Sequence, residues 1–107
     1  ERMINSDITT VLIATNKDDQ IVGTMTLVLF RIPTGLRAWI EDVIVDSESQ
    51  GKGIGKKLNQ KALTIAEKAG AKTVELTSRP SREAANRLYQ NLGFVKRETN
   101  IYRFTFD

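Results

Sequence analysis

Apolar and polar positions divide the chain into strand-like runs up to residue 45, with helix-like and strand-like stretches alternating beyond it. The run T-V-L-I-A at residues 10–14 is rich in β-branched side chains and predicts a strand, and N-K-D-D-Q at 16–20 predicts a turn. Ile21 to Phe30, I-V-G-T-M-T-L-V-L-F, predicts a second strand. The two should pair as an antiparallel hairpin, with Gly23 marking a bulge or a close approach. Residues 31–38, R-I-P-T-G-L-R-A, break the pattern, and Pro33 and Gly35 predict a loop. Trp39 to Val45 predicts a third strand, with 39, 41, 43 and 45 on one face and 40, 42 and 44 on the other. Apolar residues on both faces predict a central strand covered on both sides, interrupted by Glu41 and Asp42.

The polar, glycine-rich stretch D-S-E-S-Q-G-K-G at 46–53 then leads into helical periodicity from about Ile54 to Lys68. Ile54, Leu58, Ala62, Ile65 and Ala69 mark its apolar face, and Gly70 is placed to end it. Val74 to Thr77 predicts a fourth strand, parallel to the third through a right-handed crossover. Ser81 is placed to cap a second helix over roughly Arg82 to Asn91, which Gly93 would end. Phe94–Glu98 and Ile101–Phe106 predict a final hairpin turning at Thr99-Asn100. The fold class expected is α/β (α+β): a mixed, mainly antiparallel sheet with a central parallel strand pair flanked by helices. Residues 1–107 form a single domain on this reading.

Composition narrows the chemistry. The 107 residues include neither cysteine nor histidine. Disulfides and a thiol nucleophile are excluded, and any acid or base must be Glu, Asp, Tyr, Lys or a held water. No metal site is expected, because the acidic residues show no ligand spacing. With 40% hydrophobic and 27% charged residues, the balance is that of a globular protein. No apolar run is long enough to span a bilayer and no signal peptide is visible, so the expected setting is cytoplasmic, away from membranes. Charge is uneven: residues 1–49 carry 4 basic and 8 acidic side chains, and residues 50–107 carry 12 and 5, a net +7. That excess suits a polyanion, either a phosphate-rich cofactor or a nucleic acid. A nucleic acid is not expected, since the basic residues spread over helices without a stacking platform.

The strongest motif is Gln50-Gly51-Lys52-Gly53-Ile54-Gly55 at a strand-to-helix junction. Alternate glycines leave the backbone bare, so its N–H groups can curl around an anion beside the positive end of the helix. Lys52, Lys56 and Lys57 would add attraction at longer range. The spacing fits neither G-x-G-x-x-G nor a P-loop. A tight loop without a ligand is the alternative.

The stretch from Ile40 to Gly55 resembles the core motif of the GNAT N-acetyltransferases, Q/R-x-x-G-x-G/A, matched by Gln50, Gly53 and Gly55. Residues 84–94, A-A-N-R-L-Y-Q-N-L-G-F, resemble the family's second motif. The resemblance implies acetyl-CoA as cosubstrate. Its diphosphate would lie on Gln50, Gly51, Lys52, Gly53, Ile54, Gly55 and Lys56, and its pantetheine arm beside Val43 and Val45 where parallel strands splay. It implies Tyr89 as general acid toward the departing sulfur and Glu41 as base or amine-binding group. Where many relatives have an asparagine early in the last helix, Arg82 stands here and would reach a phosphate instead. The acceptor implied is a small-molecule or peptide amine attacking directly, with Arg31 and Arg37 near it. A non-catalytic acyl-CoA-binding or sensor module on the same fold is the rival reading. Full-length relatives begin with a further strand and one or two helices, so the chain, which opens at Glu1, reads as N-terminally truncated. An exposed final strand would allow a homodimer.

Overall fold

The computed structural model describes residues 8–106; residues 1–7 and Asp107, included in the single-domain expectation, lie outside the described residues. The chain divides into two compact units, the first ending at Thr77 and the second beginning at Ser78.

In the first unit, β1 (Ile8–Thr15), β2 (Ile21–Ile32), β3 (Gly35–Val45) and β4 (Val74–Glu75) form one sheet in the order β1-β2-β3-β4. The helix α1 (Ile54–Ala69) follows a short 3-10 turn at Ser47–Ser49. β1 and β2 are antiparallel, as expected. Their turn is built by Asn16, whose Oδ1 accepts from the Asp18 and Gln20 amides at 2.9 and 3.0 Å.

The loop expected over 31–38 is two residues long. β2 and β3 pair antiparallel from Ile32↔Gly35, so that only Pro33 and Thr34 turn. Pro33 lacks an N–H, which costs nothing at a turn, while ladder bonds and the burial of Ala38 hold the flanks in strand. Alternation along β2 places Met25, Leu27 and Leu29 on the core face. They meet Ala38 and Ile40 of β3 and Leu58, Ala62 and Ala66 of α1, all buried. Ala69, expected on the apolar face of α1, is exposed, and Ala66 is buried there instead.

β3 carries a bulge that changes which residues share a face. Thr26 pairs with Glu41 but Thr24 pairs with Ile44, so two residues of β3 oppose Met25, and Asp42 has φ 54°. Beyond it Val45 pairs with Gly23 on the core side, with Val43 two residues before it. Trp39, Glu41 and Ile44 lie on the other face. The expectation that 41, 43 and 45 share a face is corrected, because an extra residue inverts the alternation. Nor is β3 covered on both sides, since Ile44 is 63% exposed.

Gly70 ends α1 in the left-handed region, with its N–H on the Glu67 carbonyl and that of Ala71 on the Ala66 carbonyl, both at 3.0 Å. β4 then runs parallel to β3 through two pairs, Ala38↔Val74 and Trp39↔Glu75.

The second unit contains α2 (Glu83–Asn91). Its N-cap is Arg82 rather than Ser81, with no side-chain cap. The preceding turn is closed by Asn86 Nδ2, which donates to the Arg79 carbonyl at 2.9 Å. The Phe94 amide bonds the Tyr89 carbonyl at 3.0 Å, and the two rings meet edge-on, centroids 5.8 Å apart. The final hairpin expected over 94–106 is not formed: no strand occurs there, and Val95, Ile101, Tyr102, Phe104 and Phe106 are all exposed. A strand exists through its partner, and apolar alternation without one does not fix it. Among the described residues the parallel pair therefore stands at the sheet edge rather than its centre.

Candidate active site

The junction between β3 and α1 is shaped by what lies beneath and above it. Beneath is Gly23: a Cβ there would come within 2.9 Å of Ile54 Cγ2 and 3.2 Å of Leu58 Cδ1. The missing side chain lets the first turn of α1 sit on the sheet. The Asp46 amide bonds the Val22 carbonyl at 2.8 Å, and Gln50 Nε2 donates to the Val45 carbonyl at 3.3 Å, tying the loop to the strand ends. Above, nothing lies within 4 Å of a Cβ built on Gly51 or Gly53, whose φ angles are 86° and 79°. Only glycine takes these angles without strain.

The first helical bond of α1 runs from the Lys57 amide to the Gly53 carbonyl at 3.0 Å. Among the described residues, the amides of 51–56 donate to no protein acceptor. These six consecutive N–H groups lie at the positive end of a helix of 16 residues. Lys52, Lys56 and Lys57 are exposed around it. Free amides, a helix N-terminus and lysines are the donor chemistry an anion cradle uses.

One turn into α1, Asn59 is fully buried; its Nδ2 donates to the Gly55 carbonyl at 2.8 Å and its Oδ1 has no partner. Asn59 stands beside Leu58 on the buried side of α1, a polar residue that apolar periodicity does not single out.

The parallel ladder ends at Trp39↔Glu75, so from Ile40 to Val45 β3 is paired only with β2 among the described residues. This open edge contains Val43 and Val45 and leads to the glycine loop. On the exposed face, Val28, Phe30, Arg31, Trp39 and Glu41 line an open depression of about 500 Å³. Arg37 Nη2 reaches Thr34 Oγ1 at 3.4 Å, at the hairpin turn.

The remaining expected residues lie in the second unit. Arg82 is exposed at the start of α2. Tyr89 is 6% exposed, with its ring against Phe94.

A bare amide loop opening a helix, beside a strand released from its parallel neighbour, is an arrangement suited to an extended anionic ligand. The chain belongs to the Acetyltransferase (GNAT) family, whose profile matches residues 2–94. It is 35% identical over 71 residues to N-alpha-acetyltransferase 30 of Schizosaccharomyces pombe, covering 66% of this chain and 47% of that protein. It is 33% identical over 87 residues to mycothiol acetyltransferase of Renibacterium salmoninarum, covering 79% and 26%. The solved acetyltransferase of Trypanosoma brucei superposes with a TM-score of 0.80 at 26% identity, covering 91% of this chain and 69% of that one. The chain thus spans about half the length of the first of these relatives and about a quarter of the second.

Proposed function

We propose that the protein is an acetyl-CoA-dependent N-acetyltransferase acting on a primary amine by direct transfer. The observation that carries this reading is the run of amides at residues 51–56 without protein acceptors, above which Gly51 and Gly53 leave open space. On this reading Gly51, Lys52, Gly53, Ile54, Gly55 and Lys56 hold the diphosphate, with Gln50 fixing the loop on Val45. Backbone groups of Val43 and Val45 on the open edge of β3 pair with the pantetheine amides.

Glu41 receives the proton that the amine loses as its nitrogen attacks the thioester carbonyl. Tyr89 supplies a proton to the sulfur as the carbon–sulfur bond breaks. Each proton transfer is of the kind a positioned side chain accelerates. No cysteine is present, so the acetyl group does not pass through an enzyme thiol. The larger share of the acceleration comes from holding two reactants together.

The test is acetyl transfer from acetyl-CoA to a panel of primary amines, followed by mass spectrometry and by release of free thiol. Release of CoA matched mole for mole by acetylated amine supports the reading. Tight acetyl-CoA binding with no transfer to any amine would instead support a binding or sensor module.

A further inference from the structure

On the exposed face of β3, Trp39 Nε1 donates to Glu41 Oε1 at 2.8 Å. The two side chains stand two residues apart on one strand and so share a face. Their backbones are held differently. Trp39 is paired on both sides, with Val28 of β2 and Glu75 of β4. Among the described residues Glu41 is paired with Thr26 alone, and it adjoins the bulge at Asp42. A glutamate on an exposed half-paired segment would sample many rotamers. The indole N–H of the better-anchored residue restrains that sampling.

We propose that Trp39 is the positioning residue for Glu41, and that the depression they share receives the acceptor as an organic ammonium with an apolar body. This rests on the role given to Glu41 above. The indole N–H is a donor only, so it occupies Oε1 and takes no proton itself. Oε2 is left to pair with the ammonium, which gives one proton to solvent before the neutral amine attacks and loses its second proton to Glu41. Beside it, Val28, Phe30 and the Trp39 ring offer apolar surface within the same depression. Aromatic faces attract a cation and its adjoining carbons together. The bulge comes after Glu41, so Glu41 stays on the Trp39 face by ordinary alternation, while Val43 and Val45 beyond it turn to the other.

Trp39 is the only tryptophan, so its emission reports on this place alone. The experiment titrates phenethylamine, and ethylamine for comparison, into the full 107-residue chain while Trp39 emission and heat are followed. Phenethylamine should change the emission saturably and bind more tightly than ethylamine. Glu41→Gln should weaken phenethylamine binding at least about tenfold while leaving it measurable by calorimetry. Trp39→Phe, which keeps the ring and loses the donor, should weaken phenethylamine binding about tenfold by calorimetry, as loss of a hydrogen bond to a charged group does. In steady-state kinetics it should lower kcat/KM for the amine while acetyl-CoA affinity and Tm stay near wild type. The double variant Trp39→Phe, Glu41→Gln should be no worse than Glu41→Gln alone, which a merely structural tryptophan would not produce. No saturable emission change, an unchanged response in Glu41→Gln, or additive losses in the double variant would overturn the proposal. If acetyl-CoA binds while phenethylamine does not, this inference fails and the cofactor reading stands. If acetyl-CoA does not bind, the transfer reading fails, and the emission titration still decides the amine site.

Discussion

At the scale of single residues, the account turns on backbone angles and unpaired polar atoms. Gly53 holds φ 79° with open space above it. Gly53→Val should cost about 1–3 kcal/mol of stability, because a β-branched residue in the left-handed region is strained. It would also set two methyls over the bare amides. A thermal melt and an acetyl-CoA titration should show lowered Tm and affinity down at least about tenfold; an unchanged affinity would place the diphosphate elsewhere. Asn59 offers the opposite sign. Its buried Oδ1 has no partner, and an orphaned acceptor costs about 1–3 kcal/mol, so Asn59→Leu should leave Tm unchanged or raise it. A clear fall in Tm would mean that Oδ1 is satisfied in solution. Tyr89→Phe should lower kcat by about 10²-fold or more with acetyl-CoA affinity unchanged, if its hydroxyl supplies the proton.

At the scale of elements, α1 and its entry are set by what β2 lacks. Gly23→Ala brings a Cβ within 2.9 Å of Ile54, a branched side chain at the first helical position that cannot swing clear. Overpacking of this kind costs about 1–3 kcal/mol, readable in the denaturation midpoint, and the displaced first turn should weaken acetyl-CoA binding as well. Most of this region was legible beforehand: the hairpin of β1 and β2, the glycine junction, α1 with its terminal glycine, and the parallel return to β4. Each is encoded locally, by period, turn residues or caps. What escaped was decided by pairing. Pro33 and Gly35 read as a long loop, yet ladder bonds reduced it to two residues. The bulge at Asp42 is invisible to an alternation rule that counts by two, and it turned Val43 and Val45 to the face opposite Glu41. Residues 94–106 have the apolar alternation of strands and form none among the described residues, since alternation supplies a face but not a partner.

At the scale of the molecule, charge and architecture serve one ligand chemistry. The net +7 of residues 50–107 lies in the half of the sequence that contains the amide loop and α1. Such a field raises the local concentration of a polyanion and weakens as salt screens it. Acetyl-CoA affinity should therefore fall as ionic strength rises, which a titration series in sodium chloride checks. The roles of individual residues stand or fall on whether the loop at 50–56 holds a diphosphate. The most direct measurement is a calorimetric titration of the 107-residue chain with acetyl-CoA and, separately, with S-acetylpantetheine, which has the thioester arm but no diphosphate. The account predicts saturable, equimolar binding of acetyl-CoA and binding of S-acetylpantetheine weaker by at least about 10²-fold, since several charge-assisted hydrogen bonds are lost. Equal affinity for the two compounds, or no binding of acetyl-CoA by a folded chain, would contradict it.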